Sequence, residues 1–73
     1  MANHSYDARY LLCPLPVLRA QKILKKMDVG DTLTMIGTSE GGIDEFKLFC
    51  KTACHHFISG RMNGEVWNIE IQK

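Results

Sequence analysis

The sequence predicts an α+β fold: a two-layer βαβαββ sandwich, with two helices on one face of a four-stranded mixed sheet. Three observations predict it. Residues 32–37 and 66–71 alternate apolar and polar side chains with period two, as half-buried strands do. Residues 17–27 and 43–53 repeat apolar side chains at steps of three and four, as amphipathic helices do. These elements alternate along the chain and then close on a hairpin, an order suited to helices packed on one side of a sheet.

Residues 5–11 supply the opening strand, with Tyr6, Ala8 and Tyr10 on one side and Asp7 and Arg9 on the other. Residues 1–4 read as a loose terminus. In the first helix Val17, Ala20, Leu24 and Met27 form the apolar stripe, with Ile23 beside it. Arg19, Gln21, Lys22, Lys25 and Lys26 fill the remainder, and the last two complement the negative end of the helix dipole. Asp28-Val29-Gly30-Asp31 is a turn. The second strand turns Leu33 and Met35 to one face, and Thr32, Thr34 and Ile36 to the other. After a loop over 38–42, the second helix carries Ile43, Phe46, Phe49, Cys50 and Ala53 as its stripe. Residues 56–59 form the third strand, residues 60–64 connect, and Asn63-Gly64 marks the hairpin. The last strand sets Trp67, Ile69 and Ile71 toward the core. One sheet face, bearing Thr32, Thr34, Asn68 and Glu70, is expected to lie open.

Residues 1–73 make one domain, close to the lower size for a single hydrophobic core. A net charge of +1 supplies no field that would by itself attract nucleic acid. No apolar run is long enough to cross a bilayer, and the first six residues hold no signal-peptide core. Three cysteines, an odd number, fit reduced thiols in the cytoplasm better than a secreted disulfide scaffold. A monomer is the simplest assembly.

The chemistry concentrates in Cys13-Pro14-Leu15-Pro16. Proline is tolerated in the first helical turn, so Pro14 or Pro16 starts the helix. Pro14 also biases Cys13 away from helical backbone angles, which sets the thiol at the helix mouth. There the free N–H groups and the positive dipole end stabilise a thiolate. Cys50 and Cys54, four apart on one helix, share a face, and His55 or His56 stands near enough in sequence to complete a metal site. Their spacing is not that of a structural zinc module, and Cys50 lies on the apolar stripe, so no metal and no cofactor are expected.

Asp7-Ala8-Arg9, the run from Cys13 to Ala20, Gly30-Asp31 and Phe49-Cys50-Lys51 together resemble the TusA/SirA-like small sulfur-carrier family. The resemblance spans nearly the whole chain, and the Cys-Pro-x-Pro run is its specific part. It implies the same βαβαββ sandwich, similar to the C-terminal domain of a translation initiation factor. It also implies that Cys13 accepts a sulfane sulfur as a persulfide from a donor protein, a cysteine desulfurase or a rhodanese. The sulfur then passes to an acceptor protein, in tRNA thiolation, cofactor sulfuration or sulfur metabolism. Such a chain is a sulfurtransferase-type carrier rather than a stand-alone enzyme. On this reading Pro14, Pro16 and Arg19 are expected to support the thiol, and Arg19, Lys22 and Lys26 to dock the partner. Tyr10 and Cys54 stand where the family usually has glycine, Ser39-Glu40-Gly41 replaces its usual Asp-Pro-Gly, and His56 replaces an acidic residue. The alternative reading is a regulatory or RNA- or protein-binding module that uses the basic helix and the open sheet face, for which Cys13 would be dispensable.

Overall fold

The computed structural model describes residues 2–12 and 15–73. The elements run β1 (Asn3–Ala8), α1 (Leu15–Lys26), β2 (Thr32–Gly37), α2 (Gly42–Ala53), β3 (His56–Asn63) and β4 (Val66–Gln72). The sheet order is β1-β2-β4-β3, with β1 parallel to β2 and both other pairings antiparallel. This is the mixed four-stranded sheet and βαβαββ order that the periodicities imply.

The two alternating strands are central, and burial alternates strictly along both, with Ile36 and Val66 the apolar residues on the outer face. Leu33 and Met35 of β2 meet Ile71 and Ile69 of β4 in register, all buried on the helix-facing side. Ala20, Leu24 and Met27 from the first helical segment, and Phe46 and Cys50 from α2, close the same core. Thr32, Thr34, Asn68 and Glu70 lie on the opposite face, half-buried.

Trp67 fixes the junction between β2 and α2. It is 1 % exposed, its ring centroid lies 5.5 Å from that of Phe46 with the planes tilted by 57°, and its indole N–H donates to the Ser39 carbonyl at 2.9 Å. Gly37 and Gly42 make room for it. A Cβ at Gly37 would sit 2.3 Å from the indole ring, and one at Gly42 would sit 2.3 Å from its nitrogen. The ring therefore seals the C-terminal end of β2 against the N-terminus of α2.

Both outer strands depart from the sequence reading. β1 begins at Asn3 rather than Ser5, so residues expected to be loose belong to the sheet. Asp31 holds them: its carboxylate accepts from the Ala2 N–H at 2.9 Å and lies 3.2 Å from His4 Nε2. Asn3 Nδ2 also donates to Thr32 Oγ1 at 2.7 Å. β1 ends at Ala8, because the chain turns there, and Tyr10 does not extend the apolar side of a strand. β3 runs on to Asn63, absorbing most of the expected connection. Its register with β4 shifts between Phe57 and Ser59, which leaves Ile58 as the extra residue of a bulge. Asn63 pairs with Val66, so the turn residues are Gly64 and Glu65, with Gly64 at φ 68°. Glycine at the first of two turn positions is what a primed hairpin turn requires.

Candidate functional site

Because β1 and β2 are parallel and each feeds a helix, both β–α junctions emerge at one end of the sheet. The first junction leaves β1 through a tight turn in which the Leu11 N–H donates to the Ala8 carbonyl at 3.2 Å. Tyr10, third in that turn, has φ 73°. Arg9 and Asp7 brace the turn. The guanidinium reaches the carboxylate at 2.7 Å, and the Arg9 N–H donates to the same carboxylate at 3.0 Å. These bonds from Arg9 hold the exposed Asp7 carboxyl below its ordinary range. The Tyr10 N–H donates to Thr38 Oγ1 at 3.2 Å, which ties the first junction to the second.

Cys13 and Pro14, the centre of the sequence reading, lie outside the described residues. What brackets them is described. The Leu15 N–H donates to the Leu12 carbonyl at 2.8 Å, and α1 begins at Leu15, two positions after Cys13. Pro16 falls in the first helical turn, where its missing N–H leaves no bond unmade, and it is buried. No acidic residue occupies that turn. The positive end of the α1 dipole is therefore not offset by a carboxylate from the helix itself.

The outward face of α1 is basic. Leu15, Leu18, Arg19, Gln21, Lys22 and Lys25 line a shallow groove of about 320 Å³ that contains no carboxylate. Arg19 and Lys22 are thus brought together, one helical turn apart and both exposed. Lys26, the third expected docking residue, is exposed in the last turn and lies outside the groove lining. The apolar exposure around this region was not legible beforehand: Tyr10 is 88 % exposed and Leu12 75 % exposed. The available signal was that Tyr10 stands where the resembled family usually has glycine, the residue that takes positive φ most easily.

The other two thiols separate. Cys50 is 2 % exposed in the core, and burial pushes its thiol up to about 11. Cys54 is exposed and does not share a helical face with Cys50, contrary to the sequence expectation, because α2 stops at Ala53. Cys54 takes a left-handed conformation with φ 62°, and its N–H bonds the Cys50 carbonyl. The His55 N–H donates to that carbonyl as well, at 2.9 Å. Among the described residues no group of three or more His, Cys, Asp or Glu side chains could hold a metal ion. No helix among them is long and apolar enough to cross a membrane.

Comparison with known proteins gives a consistent result. The family model described as "Sulfurtransferase TusA" matches residues 4–73. A protein named "Sulfur carrier protein TusA" from Allochromatium vinosum is 36 % identical over 71 residues, covering 97 % of this chain and 93 % of the other. One from Neisseria meningitidis serogroup A, named "Putative sulfur carrier protein", is 35 % identical over 72 residues, covering 99 % of this chain and 97 % of the other. A third of that same printed name, from Archaeoglobus fulgidus, is 27 % identical and covers 92 % of each chain.

Proposed function

The chain belongs to the TusA sulfurtransferase family, and on that premise we propose that it is a sulfur carrier whose load rides on Cys13. The observation that carries this reading is the start of α1. The helix begins two residues after Cys13, its first turn has no acid, and its exposed face is basic. A thiol at such a position gains from the helix N-terminus in its anionic form, the form that attacks a sulfane sulfur.

The transfer step balances without a cofactor. The Cys13 thiolate attacks the terminal sulfur of a persulfide on the donor's cysteine. A new S–S bond forms at Cys13, the donor's S–S bond breaks, and the electron pair leaves on the donor's thiolate. Cys13 then holds the persulfide. In the second transfer an acceptor thiolate takes the terminal sulfur and Cys13 is released as a thiolate. No net oxidant is consumed. The donor we propose is a cysteine desulfurase or a rhodanese, the acceptor a downstream protein of the relay, and the setting the cytoplasm, where thiols stay reduced. Pro14 and Pro16 restrict the backbone beside the sulfur, and Arg19 and Lys22 offer the cationic surface on which a partner docks.

The test is intact mass after incubation with a cysteine desulfurase and cysteine. Wild-type protein gains one sulfur atom, mapped to Cys13, and Cys13→Ser gains none. Sulfur appearing on Cys54, or uptake that persists in Cys13→Ser, would refute the assignment.

A further inference from the structure

Tyr10 carries two costs in one residue. Its φ of 73° lies in the left-handed region, at the third position of a turn that glycine would make most easily. Its aromatic ring is 88 % exposed and adds nothing to the core. The other non-glycine residue of positive φ among those described, Cys54, is small and closes a helix, so its conformation is accounted for within the fold. Tyr10 has no such account on its side-chain end. Leu12, two residues on, is 75 % exposed.

Position supplies the explanation. Three peptide links separate Tyr10 from Cys13, so their Cα atoms are no more than about 11 Å apart. An interface of ordinary size, about 800 Å² on each partner and so roughly 16 Å in radius, centred on Cys13 extends past that distance and takes in Tyr10 and Leu12. On the C-terminal side of Cys13 in the sequence, Leu15, Leu18, Arg19 and Lys22 line the exposed groove of α1, apolar and cationic with no carboxylate in its lining. We propose that Tyr10, with Leu12, is the apolar anchor through which the sulfur-donating protein docks. That donor presents an apolar recess beside its reactive cysteine, with carboxylates on the side that meets α1. The proposal rests on the carrier reading and names the recognition element of that same site. In the complex the ring leaves water, while the conformational cost at residue 10 falls on folding stability whether or not the partner is bound.

The experiment measures sulfur uptake by the full chain from a cysteine desulfurase with cysteine, as a function of carrier concentration, with inorganic polysulfide as a protein-free donor to the wild type. Tyr10→Gly raises the KM for the carrier about tenfold, the size expected for losing one buried aromatic anchor, with kcat retained. It also raises Tm by a few degrees, since the turn is relieved of its side chain. Tyr10→Phe keeps the wild-type KM, because the anchor is the ring. An unchanged KM in Tyr10→Gly overturns the docking role and leaves the carrier reading standing. Uptake by the wild type from polysulfide but not from the desulfurase overturns the donor named here. Uptake from neither overturns the carrier reading and this proposal with it.

Discussion

The two β–α junctions sit side by side and are built from the same parts, yet they are finished in opposite ways. Each leaves a parallel strand, passes a residue with φ 73° and enters a twelve-residue helix. At the second junction that residue is Gly41, α2 carries Asp44 and Glu45 in its first turn, and Trp67 plugs the space between Gly37 and Gly42. At the first junction it is Tyr10, α1 has no acid in its first turn, and Tyr10 and Leu12 project into solvent. One helix start is neutralised and sealed. The other keeps its positive end and its apolar surface for something outside the fold. The pair teaches that scaffold and site can be told apart by which local costs the fold itself offsets.

The comparison breaks most sharply at Gly42. Gly42→Ala drives a methyl into the indole nitrogen of Trp67, and overpacking of this kind costs about 1–3 kcal/mol. Urea unfolding followed by Trp67 fluorescence should show the loss, and a variant as stable as wild type would mean that the seal is not tight. Next in size is a change that gives the first junction the character of the second. Leu15→Asp puts a carboxylate in the first turn of α1 and, through the dipole and direct repulsion, raises the Cys13 thiol pKa. Alkylation of Cys13 near neutral pH should slow roughly threefold. No change in rate would remove the helix-dipole argument.

The smallest effect tests the opposite end of the sheet. The Asp31 carboxyl is held below its ordinary range, first by the Ala2 N–H, then by His4 and by the Asp28 N–H. A carboxyl whose folded pKa lies below its unfolded value adds stability above the unfolded value, 3.8, and loses it as pH falls through the folded one. Asp31→Asn should therefore flatten the acid limb of the stability profile while leaving sulfur uptake at the other end intact. An unaltered acid limb would show that the clamp on β1 contributes nothing.

Much of this architecture was legible from side-chain order, for a definite reason. Leu33, Met35, Trp67, Ile69 and Ile71 lie in central strands with one face buried, and there period two maps directly onto burial. The edges were harder. Asn3 and His4 look like a tail because what holds them, Thr32 and Asp31, is more than twenty-five residues away in the sequence. Periodicity ends at Ser59 although β3 continues to Asn63, because residues 60–63 of this edge strand are all exposed and give no alternation to follow. Cys54 appeared to share a face with Cys50 because spacing alone does not reveal where a helix stops. At the site, the residue types of the thiol run and the basic helix face were readable. The exposed ring at Tyr10 was not, since no periodicity marks the turn it depends on, and the sequence signals it only through the glycine that the family usually has there.

Cys50 has a use of its own. It is shut in the core with its thiol pushed up to about 11, so reagents that capture accessible sulfhydryls at neutral pH will miss it while the chain is folded. Its capture rate is then a clock for opening of the interior, read in the same mass spectrum that records cargo on Cys13. A single sample can report both whether the molecule is loaded and how often it breathes.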